Sequence, residues 1–133
     1  MYMPDEYMPM AVANSFRGNK SANMEYADGR AVSGVGGAPD FARAARLCPS
    51  GRSIITLGAT CHNGEQSRIV PCLSHGSVIS VPRVDVEFIV TEYGVADLRA
   101  ASLHERAEAI IAVAAPGFRA GLQEAWRSIT ARL

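Results

Sequence analysis

No apolar run in this chain approaches the ~18–20 residues that a helix needs to cross a bilayer, and neither sign of charge prevails. Thirteen basic residues balance thirteen acidic ones in a chain of 133 residues, 48% of it hydrophobic. That neutrality gives no sign of the basic surface on which nucleic-acid and anionic-membrane binding depend. The Met-rich, acidic opening residues lack the basic and apolar regions of a signal peptide. Internal repeats and low-complexity segments are absent as well. These absences predict a cytoplasmic protein with no nucleic-acid and no membrane partner. One domain is expected at this length, burying about two-thirds of the surface its unfolded chain exposes.

The three cysteines, Cys48, Cys61 and Cys72, show no C-x-x-C spacing, and their odd number favours reduced thiols over a disulfide framework. Cys72 and His75 stand three apart, so with Cys61 and His62 they offer the donor types of a zinc site. Buried or incidental thiols and surface histidines account for the same residues, and no metal is expected.

Residues 1–24 carry two prolines and five methionines without a sustained period of two or 3.6 residues, and read as a poorly organised arm. From Ala31 a short extended stretch runs into Gly34-Val35-Gly36-Gly37, after which Pro39 opens a helix over Asp40 to Leu47. Three short runs read as core strands: Ser53 to Leu57, Val78 to Val81, and Val86 to Val90. Ser102 and Glu105 have capping-box spacing, and Leu103, Ala107, Ile110, Ile111 and Ala114 then recur on one helical face that Pro116-Gly117 ends. A last helix carries the stripe Phe118, Leu122, Trp126, Ile129 and Leu133. Strands in the middle with helices on both sides give an α/β layer arrangement.

Chemistry has few places to reside. The glycine loop lets backbone N–H groups approach a ligand beside a helix N-terminus, so it can hold an oxyanion or phosphate. A tight turn needing positive φ explains the same glycines. Glu92 follows the apolar run Val86 to Val90, near the C-terminal end of a strand, where open α/β sheets gather their ligand sites. It could equally cap the turn that leads into Val95 to Arg99. Arg68 has the planar fork that suits a substrate carboxylate or a phosphate group, with a structural ion pair to Asp85 or Asp97 as the alternative. His104 falls inside the capping box and is expected to face solvent, and Cys61-His62 makes a poor hydrolase pair because neighbours on a strand point apart.

Four collinear blocks, SGVGGAPDFARAARL, SIITLGATCHNGEQSRIVPCL, VEFIVTEYGVADLRAASLHERAEAII and APGFRAGLQEAW, resemble the C-terminal domain of the acetyl-CoA hydrolase/transferase family, of the acetate or 4-hydroxybutyrate CoA-transferase type. The resemblance runs from about Glu25 to Trp126 and makes residues 25–133 that domain, incomplete at its N-terminus. It implies a class I CoA-transferase-like fold, with an open, mostly parallel sheet flanked by helices. It implies an activity in which a glutamate attacks a short-chain acyl-CoA and CoA passes, through a glutamyl-CoA thioester, to a carboxylate or to water. Coenzyme A is then a substrate, and no resident cofactor is expected.

By the same resemblance Gly34 to Gly37 supply oxyanion or CoA contacts, Glu92 lines the active site beside the nucleophile, and Asn14-Ser15 is similar to a pair near the CoA pocket. The nucleophilic glutamate itself has no counterpart. It belongs to a stretch resembling H-S-E-M, whereas Glu6 stands in Pro4-Asp5-Glu6-Tyr7, Glu65 in a turn, and Glu105 and Glu108 on a capped helix. The expected partners are therefore an acyl-CoA, a short-chain carboxylate, and a missing N-terminal domain or another chain, a homo-oligomer included. The competing expectation is a noncatalytic, truncated interaction domain.

Overall fold

The computed structural model describes residues 11–12, 26–27, 30–31, 36–73 and 79–132. Its centre is a three-stranded sheet with Phe88–Thr91 as the middle strand. The β-branched run after Ser53 forms β4 (Ile54–Thr56), which lies parallel to β8 (Phe88–Thr91), with Ile55 opposite Ile89. A two-residue turn, Glu92-Tyr93, reverses the chain into β9 (Gly94–Asp97), antiparallel to β8. Gly94 takes φ +144°, a region that disfavours side chains. The sheet is thus mixed, with one parallel and one antiparallel pairing among the described residues.

Successive strand residues point to opposite faces, and the two faces differ. Ile89 and Ala96 face inward and are buried. They join a core with Leu98, Ala107, Ile110, Ile111, Leu122 and Trp126. Ile54 and Val95, on the other face, are 53% and 62% exposed.

The core's cover is two helices. In α2 (Leu103–Ala112) the capping box forms as read: Glu105 N donates to Ser102 Oγ at 3.3 Å, and Ser102 N donates to Glu105 Oε2 at 2.7 Å. Helix α3 (Pro116–Thr130) buries Leu122 and Trp126, with Phe118 and Ile129 half-covered beside them. Leu133 lies outside the described residues. Pro116 occupies the first turn of α3, where its missing N–H is harmless, so Pro116-Gly117 opens α3 after α2 has already stopped.

Helix α1 (Ala38–Leu47) is less engaged. Only Ala42 of it is buried, while Phe41 and Leu47 are 77% and 70% exposed. Arg43 ties it to the buried carboxylate of Asp85 at 3.2 Å. The chain leaves the helix through Gly51, where a Cβ would fall 2.0 Å from the Ala45 carbonyl oxygen, so a side chain cannot be accommodated.

The expected strand Val78 to Val81 is not formed. Val78 lies outside the described residues, and residues 79–81 bend toward Pro82, which has no N–H for a ladder and leads into a 3-10 turn, Arg83–Asp85. Arg106, partly buried and with its pKa lowered by that burial, donates to the carbonyls of Leu98 at 2.9 Å and Arg83 at 3.2 Å, tying this turn to the end of β9.

Shorter pairings complete the chain: β1 (Ala11–Val12) with β7 (Ile69–Val70), β2 (Tyr26–Ala27) with β3 (Arg30–Ala31), and β5 (Thr60–Cys61) with β6 (Gln66–Ser67), all antiparallel. Apart from β1, the arm expected at residues 1–24 lies outside the described residues.

Candidate active site

The C-terminal ends of the parallel strands β4 and β8 bring two of the expected site residues to one place. Beyond β4, Leu57 N donates to Val90 O at 3.0 Å, which holds the chain beside β8 as it enters Gly58-Ala59. Glu92, first in the turn after β8, accepts the Ala59 N–H on Oε2 at 2.8 Å. The Ala59 carbonyl in turn accepts the Arg68 N–H at 2.8 Å. Ala59, fully buried, is therefore held from both sides, and the exposed Glu92 has one carboxylate oxygen fixed by an amide. Such a carboxylate is oriented for hydrogen bonding or proton transfer.

Thr91 anchors the turn beneath. Its buried hydroxyl donates to Val113 O at 2.7 Å and accepts from Tyr93 N at 3.0 Å. The Arg119 guanidinium, held by the Ala114 carbonyl at 2.8 Å, lies 5.9 Å from the Tyr93 ring centre.

Arg68 forms neither ion pair suggested for it. Asp85 is engaged by Arg43 at 3.2 Å, and Asp97 by Arg99, two residues away and closer by chain, at 2.7 Å. Arg68 Nε is buried without a hydrogen-bond partner among the described residues. Its Nη1 lies 3.9 Å from the point a Cβ on Gly58 would occupy.

The glycine loop is only partly described. Gly36 takes φ +64°, the left-handed conformation that glycine adopts without penalty, and Gly37 caps α1. A Cβ on Gly37 would come within 3.0 Å of the Phe41 ring. Gly34, Val35 and Asn14 lie outside the described residues, as does His75. Among the described residues no three His, Cys, Asp or Glu side chains gather as a metal site. Cys48 and Cys72 are exposed thiols.

Two features escaped the sequence reading. His104 is exposed but engaged: Trp126 Nε1 donates to its Nδ1 at 2.9 Å, and its Nε2 faces Glu108 Oε1 at 3.2 Å. A groove of about 450 Å³ opens between β7 and α3, walled by Ile69, Val70, Pro71, Phe118 and Leu122.

The family model for the acetyl-CoA hydrolase/transferase C-terminal domain matches residues 11–126. The chain belongs to this family. It is similar to the 4-hydroxybutyrate coenzyme A transferase of Clostridium kluyveri, with 43% identity over 96 residues, 72% of this chain and 22% of that protein. It is also similar to the crystal structure of a 4-hydroxybutyrate CoA-transferase from Porphyromonas gingivalis, at 43% identity and a TM-score of 0.61, covering 70% of this chain and 22% of the other. RipA from Yersinia pestis gives 39% identity and a TM-score of 0.67 over 71% of this chain and 21% of its own. The chain spans about a fifth of the length of these relatives. Its α/β architecture is that of the family, and no helix among the described residues is long and apolar enough to cross a membrane.

Proposed function

We propose that this chain is the C-terminal part of a CoA-transferase or acyl-CoA hydrolase that moves CoA between a short-chain acyl-CoA and a carboxylate through a glutamyl-CoA intermediate. The observation that carries the reading is the Glu92 carboxylate, held by the Ala59 amide at the C-terminal ends of the parallel strands in a chain of this family. In this reading residues 25–133 form the bulk of the family's C-terminal domain and residues 1–24 an atypical arm, of which the family model also covers residues 11–24. Glu92 is the catalytic-site carboxylate, and Gly34, Val35, Gly36 and Gly37 donate backbone N–H groups to the thioester oxyanion or to CoA. Asn14 and Arg68 contact substrate or CoA. The substrates are met in the cytoplasm, and no metal or further cofactor takes part.

None of the chain's own glutamates acts as the nucleophile in this reading. Glu105 spends its carboxylate on the cap of α2, and Glu92 is tied to Ala59. Turnover therefore needs a glutamate carried by another polypeptide segment. A second reading, a noncatalytic interaction domain that self-associates, is favoured by one observation: Ile54, Val95, Phe41 and Leu47 are all more than half exposed.

Release of CoA thiol from acetyl-CoA, with and without succinate, tests the first reading. The 133-residue chain alone is expected to release none, whereas a reconstituted enzyme containing it turns over. Glu92→Gln keeps an oxygen for the Ala59 amide, so it should leave the fold intact and lower kcat about a hundredfold, the low end of a lost acid–base or electrostatic contribution. Unchanged kcat would remove Glu92 from the site. Inactivity under all conditions, together with a light-scattering mass that rises above the monomer's with concentration, would favour the interaction domain.

A further inference from the structure

We propose that Arg119 is a positioning residue for the Glu92 carboxylate and acts through the Tyr93 ring, an assignment whose catalytic meaning rests on the CoA-transferase reading. Arg119 is the fourth residue of α3, at the end of a helix where the dipole favours an acid over a cation. The preceding helix explains why a cation stands there. Arg119 Nε donates at 2.8 Å to the carbonyl of Ala114, the residue after the C-cap of α2. The charge is thus placed at the negative, carbonyl-bearing end of α2. From there the guanidinium lies 5.9 Å from the centre of the Tyr93 ring, within reach of a cation–π contact.

Further contacts join the end of α2 to the turn of residues 91–94. Val113 O accepts the Thr91 hydroxyl at 2.7 Å, and Val113 Cγ1 packs beneath Gly94, 3.7 Å from the point a Cβ there would occupy. These contacts hold the base of the turn, and Arg119 meets its crest. Tyr93 is 45% exposed, so its ring is lightly packed and the guanidinium has leverage over where it lies.

Glu92 and Tyr93 are the two central residues of this tight turn, which closes with Thr91 opposite Gly94. Their side chains share the backbone between them. Glu92 reaches the Ala59 amide at 2.8 Å, a bond that stays closed only while the turn keeps its dihedral angles. Removal of Arg119 frees the ring, loosens the crest, and lets the Glu92–Ala59 bond open more often.

The test is amide hydrogen exchange at Ala59 in the 15N-labelled chain. It is read against Leu98, whose N–H donates to Glu87 O at 2.8 Å at the far end of the β8-β9 hairpin. Arg119→Ala should speed exchange at Ala59 about two- to fivefold relative to Leu98, the range of an exposed cation–π contact. Arg119→Lys keeps the cation and should restore most of the protection. Arg119→Gln keeps a donor for Ala114 O without the charge and should not. Because Arg119 acts through Tyr93, adding Arg119→Ala to Tyr93→Leu should change exchange at Ala59 no further. Should Arg119→Ala unfold, the contrast between Arg119→Lys and Arg119→Gln carries the same test. Equal acceleration at Ala59 and Leu98, rescue by Gln as complete as by Lys, or additive losses in the double variant overturns the assignment, since a brace at the helix junction alone predicts each. CoA thiol release by the reconstituted Glu92→Gln enzyme is measured alongside. Selective exchange with unchanged kcat in that variant sinks the role of Glu92 in CoA transfer alone. Lowered kcat without selective exchange sinks the Arg119 assignment alone, and neither change sinks both.

Discussion

The β4-β8-β9 sheet is built from strands whose alternate residues meet very different surroundings. Toward α2 and α3, Ile89 and Ala96 are 4% and 2% exposed, while on the opposite face Ile54 and Val95 are 53% and 62% exposed. All four are apolar, so intrinsic strand preference does not separate them. What differs is the cover: two amphipathic helices on one side, and on the other the Arg99 guanidinium, 4.5 Å from the Phe88 ring centre. Glu92 and Arg68 lie at the end of this half-covered sheet. The closed face holds the strand end on which Glu92 stands through Thr91, whereas the open face leaves apolar side chains exposed.

The comparison breaks if the two sides prove equally important to stability, and the largest expected effect tests that directly. Trp126 is 4% exposed and bonded to His104, so Trp126→Ala should cost about 3–5 kcal/mol. Phe41, 77% exposed on α1, should cost no more than about 0.5 kcal/mol on replacement by Ala. Urea denaturation of the two variants reads both. A loss for Phe41→Ala close to that for Trp126→Ala would mean that α1 is packed in solution and that the contrast is false.

A smaller effect sharpens the contrast where it meets the site. Thr91 and Thr56 end neighbouring strands, but Thr91 faces the core and gives its hydroxyl to Val113 O, while Thr56 is exposed. Thr91→Val leaves that carbonyl without its donor and should cost about 1–3 kcal/mol, also loosening the Glu92-Tyr93 turn. Thr56→Val should be near neutral. Equal changes in denaturation midpoint would show that Thr91 does not tie the turn to the closed face.

What could be read from the sequence follows the range of the interactions concerned. The cap of α2 is set by Ser102 and Glu105, three residues apart, and the buried stripe of α3 by helical spacing, so both were legible. Glu92 could be placed at a strand end because the apolar residues Phe88 to Val90 and the β-branched Thr91 lead directly into it. Strand β9 was read only as the stretch after a turn, since Val95 and Asp97 carry no continuous apolar pattern. Val78 to Val81 has strand composition, but Pro82 and the buried turn at Asp85 divert it. The unpartnered Arg68 Nε, the Trp126–His104 bond and the groove under Phe118 depend on residues distant in sequence, which no local pattern encodes.

The smallest expected effect lies on the open face. Arg99 donates from Nε and from Nη2 to Asp97, at 3.0 and 2.7 Å, and these hydrogen bonds bring the Asp97 carboxyl pKa down to about 2. Because the folded value lies below the unfolded one, the pair stabilises the fold above the unfolded pKa of about 3.9, and that contribution is lost as pH falls toward 2. At neutral pH both side chains are about half exposed, so screening keeps the net effect small. A carboxyl 13C titration of the wild type should give Asp97 a midpoint near 2, and Arg99→Ala should raise it part of the way to the ordinary carboxylate range, the backbone N–H of residue 99 still donating to Asp97. The same change uncovers Phe88 and enlarges the open apolar face. An Asp97 midpoint that is already ordinary in the wild type would mean that the clamp does not hold in solution, and that Phe88 is as bare as Ile54 and Val95.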